Sequence, residues 1–311
     1  MFEKSFITDC EGPLTLNDNA FELAANFIEN GGELFKILSL YDDYLVDIVK
    51  MPNYKAGNTL KLILPFFVVE NLSNENMVEF SRDNICSVRD SKLLLKYLKE
   101  AMNTYIVSTS YGQYIEAVSN YMEVPFENTF YTNVDVDCLE LNEDEIQKIN
   151  EFKEIILSNP EDYKLFDDIF FTQIPKMGIY EKIRQIEVVG GEGKKLAIDK
   201  IIERDNINAD EILYIGDSIT DVEPLEFAIA FEFKGDAAKR RHLFYRCKAT
   251  RPSVGSSTKE DSVTPNTQEL SFAAMPRLDN SNVKARAEEG DAAYAIWYGA
   301  TPYEADQTIT P

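Results

Sequence analysis

Three short polar clusters each follow a run of strand-forming residues. Asp9 and Glu11 follow the first run, Ser108 and Thr109 follow the second, and Asp217 follows the third. In open parallel sheets, ligands bind beyond the carboxyl ends of the strands. Carboxylates that converge there can hold one hard cation through oxygen ligands. The clusters therefore predict a cation site at one edge of a sheet.

A lysine and a further acidic residue complete the candidate set. Lys194 follows the glycine-rich stretch 190–193 and opens a predicted helix, and Asp221 lies shortly after Asp217. A lysine is a compact point charge that suits a phosphate oxygen. Hydroxyls and the first amides of a helix can hold the other oxygens. These residue types favour metal-assisted chemistry on a phosphorylated compound.

Each of these residues also has a purely structural interpretation. Asp9 would then be a strand-end turn residue or a helix cap, and Ser108 and Thr109 would cap the helix that follows them. Lys194 would be solvated, as most lysines are. Asp221 would be an acidic residue in the first turn of a helix, where the helix dipole favours it.

The elements that must position these residues alternate between strands and helices. Strands are expected at 6–8, 105–107 and 212–215, and residues 130–137 alternate in hydrophobicity like another strand. Helical patterns lie between them. This alternation is typical of parallel sheets, so we predict an α/β fold with a doubly wound parallel sheet.

Two long segments separate these strands. Residues 17–90 and 141–187 contain helical apolar spacing, and we predict that the first forms a helical cap to which the second adds. Some residues of the cap are candidates to face the site, and the alternative is that they have ordinary packing or surface roles. These candidates are Tyr41, Asp42, Asp43, Tyr44, Lys55 and Lys61.

The composition of the chain changes late in the sequence. The formal net charge is −23, yet residues 234–311 hold 11 basic and 10 acidic residues, so the negative charge precedes them. We therefore predict a catalytic core of residues 1–16 and 91–233, followed by a tail with little regular structure. Within the tail, residues 253–269 lack hydrophobic periodicity and read as disordered.

The tail has two interpretations. We favour an origin foreign to the fold, through a reading-frame shift or a fusion, and the alternative is a basic nucleic-acid-binding tail. If the tail is foreign to the fold, we expect it to make few contacts with the core. Burial of Phe244, Trp297 and Tyr298 in a completed sheet would contradict it.

Composition also argues against some classes of binding partner and against membrane insertion. The acidic charge argues against nucleic-acid binding, which needs a basic footprint. No apolar run reaches the length of a membrane span and no secretory signal is evident, so we expect no membrane insertion and a cytoplasmic location. The four cysteines show neither zinc-ligand spacing nor a dense disulfide framework.

The ordered clusters resemble the four motifs of the haloacid dehalogenase superfamily. Asp9-Cys10-Glu11 resembles its Asp-x-Asp loop, and Ser108 resembles its strand-ending hydroxyl residue. Lys194 resembles its helix-starting lysine, and the segment from Gly216 to Asp221 resembles its Gly-Asp-x-x-x-Asp motif. The sequence is further similar to an archaeal branch, some members of which are named energy-converting hydrogenase A subunit R. That similarity spans roughly residues 1–231 and is carried by TDCEGP at 8–13, YDDYL at 41–45, YKAGNTLKL at 54–62, STSYGQY at 108–114 and GDSITD at 216–221.

The resemblance implies a Mg²⁺-dependent phosphohydrolase that acts on a small phosphorylated metabolite through an aspartyl-phosphate. It assigns Asp9 as the nucleophile and Glu11 as the general acid and base. It places Ser108, Thr109 and Lys194 on the phosphate. The Mg²⁺ ligands that it implies are Asp9, the backbone carbonyl of Glu11, Asp217 and Asp221.

Two residues depart from the family pattern. Glu11 stands where the hydrolases usually have Asp, which displaces the carboxylate by one methylene, about 1.5 Å. Pro13 stands where many members have Thr, and it stiffens the turn. Activity is therefore expected to be slow or specialised. The alternative function is a non-catalytic or regulatory subunit that keeps the metal site and associates with an energy-converting hydrogenase complex.

Overall fold

The computed structural model of the protein describes residues 4–52, 54–217, 227–232, 236, 238–249, 272–277, 281–291 and 294. The chain divides into two compact units, which meet in sequence between Asp221 and Val222. The first unit contains all the candidate site residues. Of these, Asp221 lies outside the described residues, so its metal-binding role stays a prediction.

The first unit alternates strands and helices. Its strands are β1 (Ser5–Thr8), β2 (Asn103–Tyr111), β3 (Thr129–Thr132) and β4 (Ile212–Ile215). Its helices are α1 (Asn19–Phe27), α2 (Gly31–Asp43), α3 (Thr59–Leu62), α4 (Leu64–Val69), α5 (Asn74–Asp83), α6 (Ser91–Ala101), α7 (Gly112–Met122), α8 (Glu143–Ser158), α9 (Tyr163–Asp168), α10 (Tyr180–Arg184) and α11 (Glu192–Asp205). Short π-helical segments, Tyr44–Val49 and Ile169–Gln173, extend α2 and α9. No helix among the described residues is long and apolar enough to cross a membrane.

The four strands form one parallel sheet in the order β3-β2-β1-β4. β1 lies between β2 and β4, and its last residue, Thr8, pairs with Ile106 on one side and Ile215 on the other. The residues that follow these three positions therefore reach the same edge of the sheet. The predicted α/β fold with a parallel sheet is confirmed.

Helices cover both faces of this sheet. Phe6 of β1 packs with side chains of α6 and α7, among them Leu95 and Val118. Its neighbour Ile7 points to the opposite face and packs with Ile201 of α11. Successive strand residues point to opposite faces, so a doubly covered strand is apolar on both. Full burial of each such side chain contributes about 1.5–3 kcal/mol.

The helices of the two inserted segments pack together as a separate apolar cluster. Helices α1–α4 and α8–α10 share this cluster, in which Leu38, Ile63 and Phe166 are fully buried. Helix α8 lies against both α2 and α4, whereas α5 packs against α7 beside the sheet. We call α1–α4 and α8–α10 the cap cluster.

Two strands differ from their predicted extents. β2 continues through the hydroxyl cluster to Tyr111, with a register irregularity against β3 after Val107. The alternating segment 130–137 is extended only as far as Thr132. Its acidic residues instead accept hydrogen bonds from the backbone and side chain of Asn74 at the start of α5. Aspartate residues commonly end a strand, because the aspartate side chain favours turns.

The second unit contains an antiparallel sheet of β5 (Phe227–Glu232), β6 (Arg241–Ala249), β7 (Phe272–Ala274) and β8 (Lys284–Ala287). β6 pairs with each of the other three. Two predictions are therefore corrected: the described part of the tail has regular structure, and 227–232 lies in this sheet rather than in the core.

Local alternation explains this correction. Leu243, Ala285 and Ala287 are buried together against Tyr245, which is the pattern of strands with one apolar face. A change in overall composition does not reveal such short strands. Phe244 is half-buried. Residues 253–269, Trp297 and Tyr298 lie outside the described residues.

Candidate active site

The first strand brings Asp9 to the carboxyl edge of the sheet. Its backbone N–H still donates to the Ile215 carbonyl of β4, at 2.8 Å. One carboxyl oxygen accepts a hydrogen bond from the Cys10 N–H at 2.6 Å, and the other forms an ion pair with Lys194 Nζ at 2.6 Å. The Asp9 and Lys194 side chains are only 9% and 1% exposed. The interpretation of Lys194 as a solvated lysine is therefore wrong, and Asp9 has a buried charged partner in addition to its hydrogen bond in the turn.

A glycine turn places Lys194 at this position. Helix α11 begins at Glu192, and the Lys194 N–H donates to the Gly191 carbonyl at 3.0 Å. A β-carbon at Gly190 would lie 2.8 Å from the carbonyl oxygen of Ala56. Real β-carbons do not approach an oxygen so closely, so a side chain at this position would push the turn away. Because Gly190 has no side chain, the turn packs closely against the Ala56 carbonyl. This packing places Lys194, in the first turn of α11, beside β1.

The loop that follows β1 is a tightly hydrogen-bonded turn that presents Glu11. The N–H groups of Leu14 and Thr15 donate to the Cys10 carbonyl, and the Gly12 N–H donates to the Thr15 carbonyl. The Cys10 side chain is fully buried in the apolar cluster of α6 and α7, and this burial raises the pKa of its thiol. Cys10 is therefore a packing residue.

Glu11 is anchored by α1 and β2. Its Oε1 accepts a hydrogen bond from the Asn19 N–H at 2.8 Å, and its carboxyl also interacts with the Ser110 hydroxyl. Burial raises the pKa of Glu11 to about 8, and the charges of Asp18 and Asp9 add to this rise. A cation held by Asp9 would lower this pKa, because a nearby positive charge favours the ionised carboxylate.

The hydroxyl residues at the end of β2 divide between two sides of the strand. Ser108 and Ser110 are buried, and their hydroxyls hydrogen-bond to each other at 3.2 Å. Neither Ser108 nor Thr109 caps α7, whose capping position is occupied by Tyr111 with no side-chain bond. Thr109 instead directs its methyl group toward Gly57, where a β-carbon would lie 3.1 Å away.

The predicted site residues did not include Ser110, which the structure places beside Glu11. A signal for it exists in the sequence. Successive strand residues alternate between faces, so Ser110 shares the face of Ser108, whereas Thr109 lies on the other. The predicted strand ended at residue 107, before the hydroxyl cluster, so the alternation did not extend to Ser110.

Asp217 reaches the same edge from β4. A β-carbon at Gly12 would lie 2.0–2.6 Å from the carboxylate atoms of Asp217, so this carboxylate rests directly on the Gly12 backbone. Gly12 has φ +94°, a conformation that suits glycine alone. The strand end and the loop thereby bring the carboxylates of Asp217 and Asp9 to one edge of the sheet.

The donor atoms at this edge fit a small hard cation. They are the carboxylates of Asp9 and Asp217, and oxygen ligands of this kind suit Mg²⁺. The resemblance adds the carbonyl of Glu11 as a predicted ligand. Among the described residues, no three His, Cys, Asp or Glu side chains form a metal cluster. A site with two carboxylates is nevertheless typical of Mg²⁺, which keeps several of its waters.

We predict that Gly12→Ala disrupts this edge. The added β-carbon would overlap the Asp217 carboxylate, and alanine at a positive φ is strained, so we expect a loss of stability of about 1–3 kcal/mol. Chemical denaturation measures the loss, and a melting-temperature titration with Mg²⁺ measures cation binding, which should weaken. Gly178→Ala is the control, because a β-carbon there meets nothing within 4 Å. Unchanged stability and Mg²⁺ response in Gly12→Ala would contradict the prediction.

Four of the six candidate cap residues have packing or surface positions. Tyr41 is buried, and its hydroxyl donates to a carboxylate of α9 at 2.6 Å. Lys61 donates to two backbone carbonyls of the segment 184–186 at 3.3 and 3.0 Å. Tyr44 packs against a tyrosine ring of α9, and Asp43 is exposed. The remaining two candidates are Lys55, which lies in the loop that precedes α3, and Asp42, which accepts a hydrogen bond from the backbone of that loop.

The comparison with solved structures agrees with this architecture. The gene product AF1437 from Archaeoglobus fulgidus is 27% identical, with a TM-score of 0.64 over 71% of this chain and 69% of that protein. The two proteins share a fold. No protein-family profile matches the chain, and no curated protein matches it.

Two further structures are more distant. A HAD family hydrolase from Salmonella enterica serovar Typhi is 10% identical, with a TM-score of 0.44 over 71% of this chain and 58% of that protein. A phosphoserine phosphatase, solved with an analogue of its phospho-aspartyl intermediate, is 13% identical, with a TM-score of 0.44 over 72% of this chain and 82% of that protein.

Proposed function

We propose that the protein is a Mg²⁺-dependent phosphohydrolase of the haloacid dehalogenase superfamily that acts on a small phosphomonoester. The observation that carries the proposal is the buried ion pair of Asp9 and Lys194 at the carboxyl edge of the sheet. A buried ion pair is often no more stabilising than apolar side chains of similar volume, so its presence needs another explanation. A reactive carboxylate held beside a phosphate-binding lysine supplies one.

Asp9 acts as the nucleophile in this proposal. Its carboxylate attacks phosphorus, the bond from phosphorus to the leaving oxygen breaks, and Glu11 gives that oxygen a proton. A water then attacks the aspartyl-phosphate, Glu11 takes a proton from this water, and phosphate leaves with Asp9 regenerated. The Asn19 N–H and the Ser110 hydroxyl orient Glu11 for both transfers.

The remaining residues position and neutralise the phosphoryl group. Lys194 fixes Asp9 and balances the charge of the phosphate oxygens, and Ser108 and Thr109 lie at the end of the neighbouring strand, where a phosphate oxygen would be bound. Asp9, the carbonyl of Glu11 and Asp217 would hold Mg²⁺, together with the predicted ligand Asp221. When bound, Mg²⁺ would stabilise the charge that develops on the transferring group.

The test is the hydrolysis of p-nitrophenyl phosphate by protein freed of metal with a chelator and then given Mg²⁺. Phosphate release that requires Mg²⁺ supports the proposal, with Asp9→Asn as the blank. Absence of release at any Mg²⁺ concentration, or equal release by the blank, overturns it.

One observation favours a second function. Glu11 replaces the shorter acid of the resembling hydrolases, and a displaced acid and base weakens turnover. The second candidate is therefore a regulatory subunit that binds Mg²⁺ without turnover and associates with an energy-converting hydrogenase complex. Mg²⁺ binding with no hydrolysis of p-nitrophenyl phosphate would favour it. The cytoplasmic location remains a proposal under either function.

We predict that Mg²⁺ stabilises the protein. The carboxylates of Asp9 and Asp217 lie at one edge, and a cation that binds only the folded state adds about 2.7 kcal/mol at 100 times its dissociation constant. The melting temperature should therefore rise with millimolar Mg²⁺ and not with Na⁺ at equal ionic strength. A melting temperature that responds to neither ion would contradict a cation site.

We predict that Glu11→Gln lowers turnover by about 10²–10⁴-fold, because the amide cannot transfer the proton. The fold should persist, since the amide oxygen can still accept the Asn19 N–H bond. Steady-state hydrolysis and a thermal melt measure the two effects, with exposed Glu33→Gln as the control. Wild-type activity in Glu11→Gln would remove Glu11 from the mechanism.

A further inference from the structure

The backbone of residues 54–58, which we call the 54–58 loop, touches the candidate site from the cap cluster. A β-carbon at Gly57 would lie 3.1 Å from the methyl group of Thr109. The Ala56 carbonyl oxygen lies so close to Gly190 that a β-carbon there would approach it to 2.8 Å. The loop therefore contacts both the end of β2 and the glycine turn that precedes Lys194.

A buried carboxylate holds this loop in place. Asp42 of α2 is 4% exposed, and its Oδ2 accepts hydrogen bonds from the Gly57 N–H at 3.0 Å and the Thr59 hydroxyl at 3.2 Å. Burial, and then the nearby Asp42 carboxyl, raise the pKa of the Tyr54 phenol. The Tyr54 hydroxyl and the Asp42 carboxyl are close to each other but form no hydrogen bond of ordinary geometry. Asp42 thus fixes the backbone that follows Lys55 and Ala56.

Lys55 extends from this fixed backbone to the start of α11. Its Nζ lies 3.0 Å from Oε2 of Glu192, and the two side chains are 47% and 68% exposed. Glu192 precedes Lys194 by two residues, and α-carbons so spaced in a helix are about 5.4 Å apart. The ammonium of Lys55 therefore lies over the same helix start that supplies the lysine of the site. An exposed ion pair of this kind is weak and exchanges readily.

We propose that Lys55 determines specificity by binding a second anionic group, on the leaving group of the substrate, in exchange for Glu192. This inference rests on the proposed function. In an in-line displacement the leaving group departs opposite Asp9, so its far end needs partners outside the sheet edge. The chain carries a net charge of −23, so an anionic substrate depends on local cations. Lys55 is such a cation, on a backbone that Asp42 immobilises.

The experiment compares two phosphates as competitors of p-nitrophenyl phosphate hydrolysis. 3-Phosphoglycerate carries a carboxylate where glycerol 3-phosphate carries a neutral hydroxymethyl group. Inhibition constants are measured for wild type, Lys55→Met, Lys55→Arg and Glu192→Gln. Lys50→Met is the matched control, because Lys50 is an exposed lysine that leads into the loop and undergoes the same loss of charge.

We expect Lys55→Met to raise the inhibition constant of 3-phosphoglycerate by about 10–100-fold, the range for one charged hydrogen bond. The constant for glycerol 3-phosphate should change little, and Lys55→Arg should restore much of the difference. Glu192→Gln should act in the opposite direction and tighten 3-phosphoglycerate binding, because it removes the competing carboxylate. Lys50→Met should resemble wild type.

If the ion pair of Lys55 and Glu192 only supports the structure, the inhibition constants should follow a different pattern. Lys55→Met and Glu192→Gln would then weaken both competitors equally, and that result overturns the inference while the proposed function stands. A wild-type protein with no activity on p-nitrophenyl phosphate overturns the proposed function, and this inference with it.

Discussion

Asp9→Asn should lower the hydrolysis of p-nitrophenyl phosphate by about 10⁴-fold or more, which is the order of loss expected when a covalent nucleophile is removed. The amide keeps the shape of the side chain but cannot attack phosphorus. Acid quenching during turnover of a radiolabelled phosphomonoester should trap phosphate on the wild-type chain and none on the variant. These two readouts test the nucleophile independently of substrate identity.

The matched control for this substitution is Asp199→Asn. Asp199 also lies near a lysine, Lys195 at 3.5 Å, but its side chain is 52% exposed and lies on the outer part of α11. It should keep wild-type activity. Residual activity of Asp9→Asn near the wild-type level would mean that another group performs the chemistry, and the role of Asp9 would then be structural.

A double-substitution cycle on Asp9 and Lys194 should reveal strong coupling in stability. Lys194→Met alone should cost about 3–5 kcal/mol, because it leaves a buried carboxylate without the positive charge at 2.6 Å. The double variant with Asp9→Asn should lose less stability than the sum of the two single losses. The difference, which is the coupling energy, should be about 1–3 kcal/mol. Urea denaturation at fixed pH measures the three variants. Both residues have further contacts, so each single loss should exceed the coupling itself.

The exposed pair on the same helix calibrates this cycle. Lys195 and Asp199 are 55% and 52% exposed, and solvent screening should reduce the coupling of such a pair to about 0.3–0.5 kcal/mol. If the two cycles give equal coupling energies, then burial does not strengthen the Asp9–Lys194 interaction. That result would contradict the predicted strong coupling of the buried pair.

The first unit was largely predictable from local sequence. The strands that end at Thr8 and Ile215 are short apolar runs, and the helix that carries Lys194 follows glycines, so element type was visible without tertiary information. β2 was less predictable, because its hydroxyl residues resemble a strand end but continue the extended backbone to Tyr111. The small antiparallel sheet was missed, since the change in overall composition does not reveal strands as short as Phe272–Ala274 and Lys284–Ala287.

The sequence by itself determined which residue types stand at the ends of the strands, and hence the candidate nucleophile, lysine and carboxylates. Only the tertiary structure decided which of them meet. It buries Asp9 with Lys194 from a helix 185 positions later, seats Asp217 on Gly12, and brings the 54–58 loop to Thr109. Local patterns report the periodicity of one segment, whereas these contacts depend on sheet register and on packing between segments. For that reason only the folded chain shows the contact of Ser110 with Glu11 and the ion pair of Lys55 with Glu192.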